Sequence, residues 1–224
     1  MKQKAHPLPI MKTELKVSEV FYSIQGEGPL SGRPAIFIRL YGCNLSCRWC
    51  DTKYAREGGK FEVWPIEELL KLIATKFQGV KEITITGGEP LFQKATLPFI
   101  KELLKADYVV SLETNGSISL EGVPGEVIKV MDIKTPSSGM EAFNLYENLK
   151  FLDKKDAVKF VIADRKDFEW SIKKCKEFGI FEKCEVFFSP VWRRLSGKRL
   201  ADWILKAKAP VRLQLQLHKV LKFK

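Results

Sequence analysis

No apolar run in this 224-residue chain reaches the roughly 20 residues that a membrane-spanning helix requires. The opening Met-Lys-Gln-Lys-Ala-His-Pro lacks the apolar stretch of a signal peptide. Internal repeats and low-complexity segments are missing too, and Ser137-Ser138-Gly139 reads as a loop rather than a domain linker. These absences argue against membrane insertion, export and a repeat architecture. Five cysteines, three of them clustered and none behind an export signal, favour a reducing cytoplasm over a disulfide framework. Acid is nearly missing from the C-terminal end. From Arg193 to Lys224 ten Lys/Arg face one acid, Asp202, so this stretch carries +9 of the chain's formal +11. It also lacks the interleaved aromatics of a single-strand nucleic-acid platform, so direct nucleic-acid binding is not expected. What remains, 45% hydrophobic and 29% charged, suits one soluble domain over residues 1–224 with a sizeable core.

The chain repeats a strand-then-helix rhythm. Apolar, β-branched runs fall at Ala35–Leu40, Glu82–Thr86, Tyr108–Leu112, Val127–Met131, Val158–Ile162 and Glu185–Phe188. A last extended run, Val211–Leu217, alternates apolar and polar residues. Helical stripes lie between them, at Ile66–Phe77, Leu97–Leu104, Asp167–Phe178 and Arg199–Ala207, the first with Pro65 in its opening turn. Such alternation predicts an α/β fold of parallel strands with crossover helices. About six βα units are too few for an eight-stranded TIM barrel. The expectation is a partial, open (β/α)₆ barrel with outer helices.

The polar motifs fall after the strands, where that architecture places chemistry. After the first comes Tyr41-Gly-Cys-Asn-Leu-Ser-Cys-Arg-Trp-Cys-Asp-Thr52, with Cys43, Cys47 and Cys50 spaced C-x₃-C-x₂-C. Three thiolates are one short of a structural zinc site and one short of a saturated iron–sulfur cluster. A [4Fe–4S] cube held by three leaves one iron open to a small molecule. After the second strand comes Thr86-Gly-Gly-Glu-Pro90. Gly87 and Gly88 allow close backbone approach, and Glu89 or neighbouring carbonyls can accept from an ammonium group. Glu113, Thr114 and Asn115 follow the third strand, as ligand contacts or as an Asx-type turn. Lys134 follows the fourth, as a partner for a carboxylate or as a surface lysine. Cys175 and Cys184 lie far away, Cys175 within a helical pattern as a packed or surface thiol.

The cysteine spacing and the later Gly-Gly-Glu-Pro resemble the radical S-adenosylmethionine (SAM) superfamily. The residues ahead narrow the likeness. Phe21-Tyr-Ser-Ile-Gln-Gly-Glu-Gly28, then Gly32-Arg-Pro-Ala-Ile-Phe-Ile-Arg39, then Cys50-Asp-Thr52 and Leu217-His-Lys219 resemble the 7-carboxy-7-deazaguanine synthase (QueE) family. The resemblance implies a [4Fe–4S] cluster on Cys43, Cys47 and Cys50, whose open iron takes the amino and carboxylate groups of SAM and whose electron cleaves it to a radical. SAM contacts are implied at Gly87, Gly88, Glu89, Glu113, Thr114, Asn115 and Lys134. The implied reaction is radical ring contraction of 6-carboxy-5,6,7,8-tetrahydropterin to 7-carboxy-7-deazaguanine with loss of ammonia, on the way to queuosine or archaeosine. The resemblance also implies a homodimer, and Mg²⁺ held by Thr52, which the sequence alone would make an N-cap or loop residue.

A carboxylated reduced pterin presents an edge of donors and acceptors plus one anion. Gln25 and Glu27 offer an amide and a carboxylate to that edge. Arg33 offers a fork for the carboxylate, and His218 a further polar group. Gly26 and Gly28 let their loop lie close. The basic C-terminal end suits an acidic reductant such as flavodoxin, or is simply a solvated lysine-rich face. Asp132-Ile-Lys-Thr-Pro136 departs from the Ser-Pro-Lys turn of some relatives. Two other classes fit parts of the pattern: a glycyl-radical-enzyme activase, and a non-enzymatic zinc or nucleic-acid-binding module.

Overall fold

A computed structural model describes residues 13–223. The opening residues 1–7, read above for a signal peptide, lie outside the described residues. The strands are β1 (Glu14–Ile24), β2 (Pro34–Leu40), β3 (Glu62–Pro65), β4 (Glu82–Gly87), β5 (Val109–Thr114), β6 (Ile128–Asp132), β7 (Ala157–Ile162), β8 (Glu185–Pro190) and β9 (Arg212–Leu213). The helices are α1 (Lys53–Arg56), α2 (Ile66–Lys76), α3 (Thr96–Lys105), α4 (Arg165–Glu177), α5 (Ile180–Lys183), α6 (Gly197–Ala207) and α7 (Leu217–Leu221). Among the described residues nine strands join one sheet, in the order β3-β1-β2-β4-β5-β6-β7-β8-β9. From β2 to β9 every neighbouring pair is parallel, while β1 runs antiparallel to both β2 and β3. The order runs from β3 to β9 without pairing back, so the sheet is the open, partial barrel that the rhythm predicts.

Strand alternation explains why the outer face is core and the inner face is not. Ile36, Ile38 and Leu40 of β2 join Ile83 and Ile85 of β4 against Leu69 and Ile73 of α2 and Phe99 and Leu103 of α3. On the other half, Val158, Phe160, Val186 and Phe188 pack on Phe168 of α4 and Leu200 and Ile204 of α6. Phe160 and Phe168 meet Phe188 edge to face, at 5.5 and 5.6 Å between ring centres. Each such buried side chain stabilises the fold by about 1.5–3 kcal/mol. Cys175 and Cys184 sit inside this second cluster. Lys129 intrudes on the apolar face and is neutralised there, its Nζ 3.0 Å from the buried Asp156 carboxylate. The residues between are different in kind: Arg39, Thr86, Glu113, Asp132 and Lys159 face inward.

The structure adds elements the periodicity missed and removes part of one it predicted. β1 and β3 went unread; in β1 the alternation of exposed and buried residues holds only over Glu14–Val17, and a register shift between Val17 and Glu19 then interrupts it. Of the extended run Val211–Leu217, only Arg212–Leu213 pairs, and Leu217 already begins α7. Gln214 N still donates to Phe188 O, after which the chain leaves the sheet edge. The starts of α4 and α6 are set by side-chain caps, Asp164 accepting from Asp167 N and Ser196 from Arg199 N. No α-helix occupies the connections from β5 to β6 or from β6 to β7, the latter using short 3₁₀ turns at Pro136–Ser138, Glu141–Phe143 and Tyr146–Phe151.

Candidate active site

The inward residues surround a cavity of about 660 Å³. Parallel strands end at one rim, and the three cysteines occupy that rim just beyond β2. Cys43, Cys47 and Cys50 are free, half-buried thiols that all line the cavity. Burial pushes the Cys43 and Cys47 thiols above the ordinary range. A metal must therefore displace their protons to bind. The loop that carries them is pinned by backbone bonds, Gly42 N to Ala55 O at 2.7 Å and Glu89 N to Gly42 O at 2.8 Å.

That pinning is why Gly87 and Gly88 are glycines. A Cβ on Gly87 would lie 2.2 Å from Leu40 O, at a φ of +148°, and one on Gly88 would lie 2.3 Å from Gly42 O. The expectation tied them to ligand approach; in the fold Gly87 also clears Leu40 at the end of β2, and Gly88 clears Gly42 of the cysteine loop. Both still line the cavity. Glu89 corrects a second expectation. Its carboxylate is buried and saturated, accepting from Leu91 N at 2.9 Å, Asn115 N at 2.6 Å and the Thr114 hydroxyl at 2.9 Å. Burial raises its pKa, with those bonds pulling the other way. Glu89 thus braces the β4 and β5 ends. Asn115 forms the Asx-type turn, its Oδ1 accepting from Ser117 N at 2.9 Å, and also lines the cavity with Thr114.

The Gln25–Gly28 loop follows the antiparallel β1 and therefore approaches from the opposite end of the strands. Gln25 is buried, its amide donating to Thr84 Oγ1 at 3.0 Å and Glu113 Oε1 at 3.1 Å. Glu113 also accepts from the Thr86 hydroxyl at 2.7 Å. Glu27 is held by Lys159 Nζ at 2.6 Å and Gln216 Nε2 at 2.6 Å. Burial alone would raise the Glu27 carboxyl, but the Lys159 charge and these two hydrogen bonds lower it to about 2. Lys159 is raised: burial opposes its charge, and Glu27, Asp132 and Glu113 outweigh burial. Lys134 is raised as well, burial again being outweighed by Asp132, whose Oδ2 lies 2.7 Å from Nζ. His218 packs on Gly26, where an added Cβ would meet Nδ1 at 2.8 Å. Burial lowers its pKa, so the ring is neutral at pH 7. Gly28 lies against Val130, at a φ of +72°.

Arg33 is not brought to this cavity. It sits at the start of β2, outside the cavity lining, and pairs with Glu82 at the start of β4. Its side chain is 60% exposed and turns to the Glu82 carboxylate rather than to the cavity interior. Arg39, six residues on, lines the cavity instead, with Nε 3.3 Å from Glu19 and its guanidinium over Phe21. The signal was available, because a lone arginine in the apolar run Ala35–Leu40 needs a polar environment. Lys159, within Val158–Ile162, carried the same signal. Thr52 lines the cavity at the N-cap position of α1 but makes no capping bond, leaving its hydroxyl 3.9 Å from Cys50 Sγ. Three basic residues of the C-terminal stretch are paired, Arg212 with Glu185, Arg194 with Asp164 and Lys219 with Asp51. No helix among the described residues is long and apolar enough to cross a membrane.

Comparison with known proteins agrees with this geometry. The Radical SAM superfamily matches residues 37–198. The 7-carboxy-7-deazaguanine synthase of Clostridium acetobutylicum is 42% identical over 212 residues, covering 92% of this chain and 95% of its own. The synthase of Chlorobaculum tepidum is 39% identical, covering 94% and 96%. The crystal structure of QueE from Escherichia coli shares the fold, with a TM-score of 0.76 at 24% identity over 94% of this chain and 99% of that one. The cysteine-rimmed polar cavity and these matches together place the chain in the 7-carboxy-7-deazaguanine synthase family of radical SAM enzymes.

Proposed function

We infer that this cavity converts 6-carboxy-5,6,7,8-tetrahydropterin to 7-carboxy-7-deazaguanine, losing ammonia, as a step of 7-deazapurine biosynthesis. The observation that carries the reading is the convergence of three half-buried thiols and a polar, ion-paired barrel interior on one cavity. Cys43, Cys47 and Cys50 fit a [4Fe–4S] cluster, being soft thiol donors on one pinned loop and one ligand short of saturation. When bound, the cluster and SAM supply the electron and the radical that start the reaction.

The chain's own residues then bind and orient. Backbone carbonyls around Gly87 and Gly88, with Thr114, Asn115 and Lys134, form the SAM side. Glu113 and Glu27 present carboxylates to the pterin edge, each held in place by its neighbours, and His218 offers a neutral ring. Arg39 takes over the carboxylate fork that the sequence assigned to Arg33. Thr52 offers Mg²⁺ a hydroxyl beside the cluster rim, in keeping with a cation that retains water and substrate oxygens. We infer further that the chain acts as one radical SAM domain, as a homodimer, in the cytoplasm, with an acidic reductant such as flavodoxin.

The test is an anaerobic incubation of iron-loaded protein with SAM, reductant and the carboxytetrahydropterin. Product should form, and deuterium on the carbon bearing the substrate carboxylate should appear in SAM or 5′-deoxyadenosine. SAM cleavage without pterin turnover would redirect the assignment to a protein-activating enzyme. Zinc content without SAM cleavage would redirect it to a binding module.

A further inference from the structure

Asn115 is held more firmly than a loop asparagine needs to be. It is buried, and its backbone N–H donates to Glu89 Oε2 at 2.6 Å. Its Oδ1 accepts from Ser117 N at 2.9 Å and Ser117 Oγ at 2.6 Å. A backbone N–H can only donate, so Oδ1 must face Ser117, and the orientation of the carboxamide is fixed. The NH₂ group is thereby turned toward the cysteine loop. Its nitrogen lies 3.6 Å from Cys43 Sγ and 3.2 Å from Asn44 Oδ1. A second donor, Leu45 N, reaches the same sulfur at 3.4 Å.

We propose that Asn115 is a tuning residue, whose carboxamide donates to the Cys43 sulfur and raises the reduction potential of the cluster held there. The proposal rests on Cys43 being a cluster ligand. Reduction adds negative charge that spreads onto the sulfurs, and an N–H donor stabilises the reduced form more than the oxidised one. The rigid link from Glu89 through Asn115 also ties the Gly-Gly-Glu-Pro turn to one corner of the cluster.

The test is an EPR-monitored redox titration of anaerobic, iron-loaded protein without SAM, so that any contact of Asn115 with SAM does not enter. Asn115→Asp keeps the acceptor for Ser117 and removes the donor. Asn115→Leu removes both without adding charge. Both should lower the potential, by about a tenfold change in the reduction equilibrium, 59 mV for one electron. Asn44→Ala, which loosens the same loop but leaves the bond to Cys43, should leave the potential in place. A shift in the Asn115 variants no larger than that of Asn44→Ala overturns the proposal. The wild type supplies an independent reading: with asparagine-selective ¹⁵N labelling, pulsed EPR of the reduced cluster should detect nitrogen coupling that persists in Asn44→Ala. Absence of that coupling overturns the proposal even where the variants fail to load iron. Wild-type protein that binds no iron would instead refute the cluster assignment on which it rests.

Discussion

Lys159→Met removes the cation that holds Glu27, and the consequence can be worked from the geometry. The Lys159 Nζ lies 2.6 Å from Glu27 Oε2 and 3.9 Å from Asp132 Oδ2, with the Lys159 and Glu27 side chains only 14% and 12% exposed. Burial alone would raise the Glu27 carboxyl, yet Lys159 and Gln216 bring it from 4.5 to about 2. At about 1.4 kcal/mol per pKa unit, that depression corresponds to roughly 3 kcal/mol. Gln216 still donates to the other oxygen in the variant, so the expected loss is about 2–3 kcal/mol, just below the roughly 3–5 kcal/mol for breaking a fully buried pair from one side. For a chain of this size the melting temperature should fall by roughly 4–12 °C. Anaerobic thermal and urea melts of the wild type, Lys159→Met, Glu27→Gln and the double variant give the coupling energy directly, expected near 2 kcal/mol. The pH dependence follows from the depressed pKa. The Glu27 contribution is fully present above pH 4.5 and is lost as pH falls toward about 2. The Lys159 contribution is present below 10.5 and is lost as pH rises through its raised value. Between pH 4.5 and 2 the wild type should therefore lose stability more steeply than Lys159→Met. A coupling energy under about 0.5 kcal/mol, or parallel acid limbs, would refute the reasoning.

Replacing Cys43, Cys47 or Cys50 by Ala should abolish iron loading measured after anaerobic reconstitution, while Cys184→Ser, in the outer core, should leave about four irons per chain. Arg39→Ala should raise the KM for the pterin, with Arg39→Lys restoring it incompletely; Arg33→Ala should leave KM unchanged but cost about 1–3 kcal/mol of stability in a urea melt, because the Glu82 carboxylate it leaves unpaired is only 12% exposed. Gly88→Ala should prevent iron loading, because its Cβ would stand 2.3 Å from Gly42 O and push the cysteine loop away. Thr52→Ala should lower turnover and flatten its response to Mg²⁺ while SAM cleavage uncoupled from product survives; an unchanged magnesium titration would remove Thr52 as the ligand.

Periodicity was a good guide wherever one face of an element is apolar core. Ile36, Ile38 and Leu40, or Phe160 and Phe188, announce their strands because alternate positions pack on helices. The same logic failed for β1, where a register shift between Val17 and Glu19 breaks the alternation that Leu15 and Val17 begin, and for Val211–Leu217, where alternation persists after the chain has left the sheet. The site divides similarly. Cys43, Cys47 and Cys50 are local in sequence, and their spacing alone carries the chemistry. The partners of Glu27 are not local: Lys159 is 132 residues away and Gln216 is 189. Arg33 and Arg39 show the limit most plainly. Both are arginines in one short segment, and only their surroundings in the fold decide which reaches the cavity: Arg33 is drawn out to Glu82, while Arg39 is held beside Glu19 and Phe21. Glu89 and the two glycines were legible as important, but their roles as brace and clearance depend on contacts with Leu40, Gly42 and Asn115 that no spacing rule encodes.

The segment that follows β9 has a consequence for how the enzyme is assembled. After Gln214 leaves Phe188, Gln216 meets Glu27, Leu217 N reaches Gly26 O and Lys219 pairs with Asp51. One short stretch thus spans from the last long strand to the loop after the first and to the cysteine loop. Contacts separated by 189 residues close a very long loop of chain, and the entropy of that closure delays them relative to the βα units between. The sheet forms first, and its side wall arrives last. During folding there is consequently an interval in which the barrel is built but its flank is open, and amide protection at Leu217 should lag behind that at Phe160 and Phe188 in a pulse-labelled refolding experiment.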